Sequence, residues 1–164
     1  METKHPQFIM PGSFDPMHNS HFATFMKAKK KYPELCILIC QNENKEKGLF
    51  SLEERAELAR IYLPSEHILI AHSNTEIFEY ASRAEKIIRG YRNKDEIVEL
   101  RNTAIKHGVM EFKDKLELFK IPSEFCIVSS SRLKSLIERH QPVQYLDWTK
   151  PEIMQKLREK FERT

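Results

Sequence analysis

The stretch that decides the fold is residues 8–21, which reads Phe8-Ile9-Met10-Pro11-Gly12-Ser13-Phe14-Asp15-Pro16-Met17-His18-Asn19-Ser20-His21. Its apolar start predicts a buried strand, and Pro11-Gly12 ends that strand in a loop. Asn19 or Ser20 can then cap a helix that runs to about Lys31, since apolar residues recur there at helical spacing. A buried strand followed directly by a polar turn and a helix is the first half of a βαβ unit.

The rest of the chain repeats this alternation. Short apolar runs predict four more strands at 35–40, 67–71, 86–88 and 116–119. Helical spacing predicts helices at 51–62, 75–83, 95–106, 130–140 and 151–161. Because each crossover is long enough for a right-handed connection, we expect a Rossmann-like α/β fold. It has an open parallel five-stranded sheet, helices on both faces and C-terminal helices, and residues 1–164 form a single domain.

Composition excludes several classes of protein. Hydrophobic residues make up 40% of the 164 residues and charged residues 31%, so a packed core is expected rather than disorder. The 27 basic and 24 acidic residues give a net charge of +3, which is too balanced for a protein that binds a nucleic-acid backbone. No apolar run is long enough to span a membrane and no signal peptide is apparent, so we expect a cytoplasmic protein. Three scattered cysteines predict no metal site.

In a parallel sheet of this kind, ligands bind beyond the carboxyl ends of the strands, where the strand order reverses. His18 and His21 follow the first strand and lie three residues apart at a helix start, so both side chains can face one ligand. A helix N-terminus attracts phosphate through its free amides and its dipole, and an imidazole there can donate a hydrogen bond to a phosphate oxygen. The alternative is a histidine that only caps the helix.

Two further strand ends carry unusual residues. Arg89 and Arg92 flank a glycine and a tyrosine after the fourth strand, which fixes two positive charges at the same edge of the sheet. Ser129-Ser130-Ser131 precedes a helix and can serve as an N-cap, as a phosphate site, or as both. By contrast, Ser51 and Glu54 form a capping box that also accounts for the neighbouring Arg55, and we interpret these three residues as structural.

Together these stretches resemble the bacterial phosphopantetheine adenylyltransferase family of the nucleotidyltransferase superfamily. Residues 12–16 and 18–21 are similar to that superfamily's Gly-Ser/Thr-Phe-Asp-Pro and His/Thr-x-Gly-His elements. Three more family motifs follow in order and at similar spacing. They are Phe50-Ser51-Leu52-Glu53-Glu54-Arg55, Ile88-Arg89-Gly90-Tyr91-Arg92 and Val128-Ser129-Ser130-Ser131. The resemblance covers residues 8–161.

The resemblance implies transfer of the adenylyl group of ATP to 4′-phosphopantetheine, which gives dephospho-CoA and pyrophosphate. It implies that His21 stabilises the transition state and that His18 is its catalytic partner. The implied ATP-binding residues are Ser13, Phe14, His21, Gly90, Tyr91, Arg92, Glu99, Phe125, Cys126, Ile127, Val128, Ser129, Ser130 and Ser131. The implied substrate-binding residues are Ser13, Lys45, Thr75 and Arg89, with Lys47 as the alternative to Lys45.

The resemblance also implies Mg²⁺ carried by ATP, a homohexamer, feedback binding of coenzyme A and no nucleic-acid or membrane partner. The sequence departs from the family pattern at several places, one of which is the loss of two aromatic residues within residues 95–99. Ser20 replaces the glycine of the histidine motif, Tyr91 replaces an aliphatic residue, and Lys106-His107 replaces Asn-Arg. Two alternatives therefore stay open: transfer from ATP or CTP to NMN, glycerol phosphate or a similar acceptor, and a degenerate member that binds nucleotide without chemistry.

Overall fold

The computed structural model describes residues 5–41, 47–99, 114–140 and 147–163. Five parallel strands form one sheet in the order β3-β2-β1-β4-β5. Their bounds are β1 Phe8–Gly12, β2 Cys36–Cys40, β3 Ile68–Ala71, β4 Lys86–Tyr91 and β5 Leu116–Lys120. The order runs outward from β1 in one direction to β3 and then in the other direction to β5. The predicted Rossmann-like sheet is confirmed, and its switch point lies between β1 and β4.

Five helices connect or follow these strands. They are α1 Asn19–Lys31, α2 Leu52–Ala59, α3 Asn74–Arg83, α4 Ser130–Glu138 and α5 Pro151–Glu162. Residues 94–99 are also helical, which agrees with the start of the helix predicted from residue 95; its later part lies outside the described residues. Short 3-10 turns at Ser65–His67 and Ser123–Phe125 complete the described elements.

The strands are apolar on both faces because helices cover both faces. Ile9, Leu38 and Ile87 pack on one face with Ala81 of α3. The alternate positions pack on the other face with α1 and α2: Met10, Ile37, Ile39 and Ile88 lie there with Phe25, Ala28, Ala56 and Ala59. Since successive strand side chains point to opposite faces, this division follows directly from the unbroken apolar runs.

A third apolar cluster joins the C-terminal helices to the rest. Leu133 of α4 and Ile153 and Leu157 of α5 pack against Leu58 of α2. Trp148 lies in this cluster and is 8% exposed. The cluster holds the beginning of α4 close to the loop that follows β1, as the contacts below show.

Two predicted helix starts need correction. The N-cap of α1 is His18 rather than Asn19 or Ser20, because the His18 ring accepts from main-chain N–H groups of the first turn. At α2, Ser51 accepts from the main-chain N–H of Glu54 as predicted. The Glu54 carboxylate, however, binds Lys160 of α5 at 2.9 Å instead of completing a capping box. Tertiary pairing thus replaces the local contact.

Candidate active site

The histidine pair sits where β1 leads into α1, at the switch point of the sheet. The main-chain N–H of His18 donates to Nδ1 of His21 at 3.2 Å. Nδ1 of His18 accepts in turn from the main-chain N–H groups of Ser20 and His21, at 3.2 and 3.5 Å. The two rings stack with their centroids 3.7 Å apart. The pair therefore forms a reciprocal capping box made from two histidines.

These contacts decide where the ring protons are. In a neutral imidazole one nitrogen accepts and the other carries the hydrogen. Because Nδ1 accepts in both rings, Nε2 carries the hydrogen in both, an assignment that follows from the hydrogen-bond network. Neither Nε2–H donates to any of the residues that the structure describes. Both rings thus keep one N–H donor for a ligand.

The surroundings keep both rings uncharged. Burial, followed by the positive charge of Arg92, lowers the pKa of His18 from 6.5 to about 3. Burial also lowers the pKa of His21 well below its usual value, and the proximity of His18 and the charges of Arg89 and Arg92 lower it further. A neutral imidazole beside two guanidinium groups is suited to donate a hydrogen bond to an anion and to gain basicity once that anion arrives.

The amides at the start of α1 are not available to phosphate, contrary to the expectation from sequence. The N–H groups of Ser20 and His21 donate to the His18 ring, and that of Phe22 donates to the His18 carbonyl. The N–H of Asn19 donates to the Trp148 carbonyl at 2.8 Å. This helix end therefore presents imidazole donors and its dipole rather than free amides. Ser20, which replaces the motif glycine, is 2% exposed and lies within the turn.

Arg89 lies inside β4 rather than after it, because the strand continues to Tyr91, and Arg92 directly follows the strand. The Arg89 guanidinium donates to the Pro11 carbonyl at 3.0 Å, which ties β4 to β1 across the switch point. Arg92 donates to the Val128 carbonyl at 2.9 Å and pairs with Glu96 at 3.0 Å. Between them, Gly90 allows close packing, since a Cβ there would lie 3.0 Å from the Thr24 hydroxyl of α1. The positive charges of Arg89 and Arg92 lower the pKa of His21, and that of Arg92 also lowers the pKa of His18.

The serine run caps α4 and also leaves main-chain N–H donors at the start of that helix. Ser129 is the N-cap, and its hydroxyl accepts from the main-chain N–H of Arg132 at 3.1 Å. The Ser130 hydroxyl donates to the Pro16 carbonyl at 2.9 Å and so joins α4 to the loop after β1. Ser131 is exposed. Within the described ranges, no acceptor is seen for the main-chain N–H groups of Ser130 and Ser131. These two amides can bind phosphate.

The loop after β1 holds Ser13 and Phe14 in different environments. Ser13 is exposed at the carboxyl edge of the sheet. Phe14 is 1% exposed, adopts a positive φ of 46°, and packs its ring 4.7 Å from that of His21. A Cβ on Gly12 would lie 3.0 Å from the Phe14 ring. The glycine at position 12 therefore makes room for the Phe14 ring.

The other predicted residues lie farther from the histidines along the chain. Thr75 is exposed in the first turn of α3, and Glu99 is exposed at the end of the helical residues 94–99. Tyr91 ends β4 and is half-buried. Of residues 125–128, Val128 is buried, Ile127 is 56% exposed, and Phe125 and Cys126 are half-buried. Lys47 is exposed; Lys45 and Lys106-His107 lie outside the described residues.

The sequence interpretation missed a buried charged cluster beside the site, formed by Asp15, Arg55 and Lys134. Asp15 accepts from Lys134 of α4 at 3.0 Å and lies 3.5 Å from the Arg55 guanidinium of α2. The Asp15 and Arg55 side chains are 5% and 2% exposed. All three residues lie within or near the quoted motifs, and this is the signal that the sequence offers. Asp15 and its two partners are too far apart in sequence to be paired from local spacing.

The parallel sheet with this strand order is Rossmann-like, and at its switch point a pair of neutral histidines lies beside two arginines, an arrangement that can hold an anion. A comparison with known protein families identifies the family of this chain. The family model described as cytidylyltransferase-like matches residues 9–155, and the chain belongs to that family.

Two curated relatives of the chain are named phosphopantetheine adenylyltransferase. The chain is 32% identical over 94 residues to a phosphopantetheine adenylyltransferase of Lawsonia intracellularis, which is 56% of this chain and 54% of the relative. It is 36% identical over 87 residues to a protein of the same name from Dictyoglomus turgidum, covering 51% and 54%. The chain thus spans about half the length of the curated relatives that it matches. Relatives of this name, together with the family, support the interpretation of the chain as an enzyme.

Among solved structures, the chain is similar to the nicotinic acid mononucleotide adenylyltransferase of Plasmodium falciparum in complex with NaAD. The TM-score is 0.60 over 92% of this chain and 93% of that one, at 14% identity, which supports the fold. In the part of the chain that the structure describes, no helix is both long and apolar enough to cross a membrane. Nor do the described side chains of His, Cys, Asp and Glu form a group of three or more that could hold a metal ion.

Proposed function

We propose that this protein transfers the adenylyl group of ATP to 4′-phosphopantetheine. The observation that carries the proposal is the neutral pair His18 and His21, each with an unused Nε2–H, next to Arg89 and Arg92 at the switch point. Donors placed where charge develops lower the barrier of a transfer reaction without a covalent enzyme intermediate. The choice of acceptor is supported by the name of the curated relatives.

In the proposed reaction, an oxygen of the acceptor phosphate forms a bond to the α-phosphorus of ATP. The bond from that phosphorus to the bridging oxygen of the β-phosphate breaks, and pyrophosphate leaves with the electron pair. His21 donates through Nε2 to the α-phosphate as its charge is redistributed. Arg89 and Ser13 hold the acceptor phosphate, and Arg92 with the Ser130 and Ser131 amides holds ATP phosphates. Mg²⁺ enters with ATP as part of the substrate.

The test is an acceptor panel with purified protein. ATP or CTP is combined with 4′-phosphopantetheine, NMN, nicotinic acid mononucleotide or glycerol phosphate, and both pyrophosphate release and product mass are measured. We expect turnover with ATP and 4′-phosphopantetheine and formation of dephospho-CoA. Preference for another pair would assign a different nucleotidyl transfer. Nucleotide binding without turnover on any pair would identify a degenerate member. The hexamer, the feedback by coenzyme A and the cytoplasmic location stay predictions.

A further inference from the structure

Arg55 is the largest fully buried charged side chain of the described chain, and every hydrogen bond of its guanidinium ends on a segment next to the site. Nε donates to the Phe50 carbonyl at 2.9 Å. Nη1 donates to the Ser13 carbonyl at 3.1 Å, and Nη2 donates to Oε1 of Gln41 at 2.8 Å. The Arg55 side chain of α2 therefore binds three separate positions of the chain.

Two of these three positions lie at the ends of one connection between β2 and α2. Gln41 directly follows β2 and Phe50 directly precedes α2, so Arg55 holds both ends of the connection between these two elements. Asp15 holds the same connection from the other side, since it accepts from the main-chain N–H groups of Leu49 and Phe50 at 2.8 and 2.9 Å. The third contact fixes the carbonyl of Ser13, the exposed serine of the loop after β1.

The main chain at Gly48 packs directly against the side chains of Arg55 and Asp15. A Cβ on Gly48 would lie 1.9 Å from Nη2 of Arg55 and 2.6 Å from Oδ2 of Asp15. The glycine lets the main chain pass directly over the paired charges. A buried guanidinium that makes three directed hydrogen bonds and faces a carboxylate is held rigidly, and it transmits that rigidity to the segments that it binds.

We propose that Arg55 is a positioning residue for the acceptor phosphate, acting through Ser13 and through the connection that carries Lys47. This inference rests on the proposed function, in which Ser13 holds the acceptor phosphate, and on Lys47, which the resemblance implies as the alternative to Lys45 for binding the same phosphate. Arg55 does not touch the substrate. It sets the position of two groups that do, whereas its described contacts include none of the groups proposed to bind the ATP phosphates.

The test compares binding of the two substrates in Arg55→Lys. Lysine keeps a positive charge beside Asp15 but cannot reach Phe50, Ser13 and Gln41 together. We expect the Kd for 4′-phosphopantetheine, measured by calorimetry, to rise about tenfold through misplacement of its ligands. The Kd for ATP should change by about threefold at most, because lysine keeps a positive charge beside Asp15, which pairs with Lys134 of α4, and Arg55 makes no described contact with Arg92 or with the Ser130 and Ser131 amides. Arg60→Lys, an exposed arginine just after the same helix, is the matched control and should change neither Kd.

Two further variants perturb the same contact by other routes. Gln41→Leu removes the Nη2 acceptor, and Gly48→Ala forces Nη2 to move. Both should raise the acceptor Kd more than the ATP Kd, and they keep the proposal testable if Arg55→Lys does not fold. Equal weakening of both substrates, or an unchanged acceptor Kd in folded variants, would overturn the positioning role. Failure of the wild-type protein to turn over 4′-phosphopantetheine would instead overturn the proposed function, because the binding comparison needs no turnover.

Discussion

The helices α1 and α4 both begin at the edge of the same site, yet they offer a ligand different chemistry. At α1 the first amides are occupied by the His18 ring and by the His18 and Trp148 carbonyls, and two imidazole Nε2–H groups remain. At α4 the Ser129 hydroxyl accepts one N–H, and the amides of Ser130 and Ser131 have no acceptor among the described residues. A helix N-terminus is thus not a phosphate site by its dipole alone; what decides is which donors the cap leaves free.

The difference has a functional meaning in the proposed reaction. Amide donors on a rigid helix hold the phosphates of the ground state and of the transition state alike. The hydrogen bond from a neutral imidazole N–H strengthens as negative charge builds on the oxygen that accepts it. We therefore assign the chemical step to α1 and phosphate binding to α4, and variants at the two ends should separate turnover from affinity.

The largest effect should come from removing the donor at α1. In His21→Ala we expect turnover to fall about 10³-fold, which corresponds to about 4 kcal/mol, while the ATP Kd changes by about threefold or less. Steady-state kinetics and calorimetric titration measure the two quantities. His67→Gln, at the opposite edge of the sheet where β3 begins, is the matched control and should behave like wild type. A parallel loss of affinity and turnover would make His21 a binding residue.

Next in size is the link that holds the two helix ends together. Asp15 lies in the loop before α1 and binds Lys134 of α4 as well as Arg55 of α2. Asp15→Asn leaves two positive charges without their buried carboxylate, so we expect a loss of about 3 kcal/mol in the free energy of unfolding. Denaturant titration measures it, with Asp95→Asn, an exposed carboxylate, as the control. Stability within about 1 kcal/mol of wild type would show that the two helix ends are held by apolar packing instead.

A smaller effect should follow from removing one amide at α4. Proline is accepted at the first position of a helix, and the extended conformation of Ser129 suits a following proline. In Ser130→Pro we expect the Kd for pyrophosphate to rise about tenfold through loss of one N–H donor. Ser130→Ala loses the bond to Pro16 but keeps the N–H, so it separates the hydroxyl from the amide. Equal weakening in both variants would assign the effect to the hydroxyl.

The sequence predicts which strands and residues form this site better than it predicts the contacts that these residues make. The strands at 36–40 and 68–71 follow from unbroken apolar runs, and the switch-point rule brings His18, His21, Arg89 and Arg92 together. The first strand is predicted to end at Pro11-Gly12, but both residues pair with β2 and belong to β1. The sequence does not predict that the His18 ring caps α1, because Asn19 and Ser20, which are preferred N-cap residues, directly follow it. Nor does it predict the cluster of Asp15, Arg55 and Lys134, whose members are 40 and 119 residues apart and share no periodic pattern.

The smallest predicted effect concerns pH and again contrasts the two helix ends, since α1 carries titratable donors and the amides of α4 do not titrate. The folded protein keeps the pKa of His18 near 3, below the 6.5 of the unfolded chain. Between these values the unfolded chain binds the proton and the folded protein does not. Stability from this ring is therefore fully present above pH 6.5 and declines as the pH falls below it.

His18→Asn isolates this contribution, because asparagine is a strong N-cap that does not titrate. Urea unfolding at pH 7.5 and 5.5 should show that wild type loses about 1 kcal/mol more than the variant over that interval. Saturating pyrophosphate should reduce the difference, since a bound anion favours the protonated ring and raises its pKa. If wild type and variant lost the same stability, the His18 ring would titrate alike in the folded and unfolded states. The ring would then become charged in the folded protein as the pH falls through 6.5, and below that pH α1 would bind phosphate electrostatically, as a lysine does, rather than through a neutral donor.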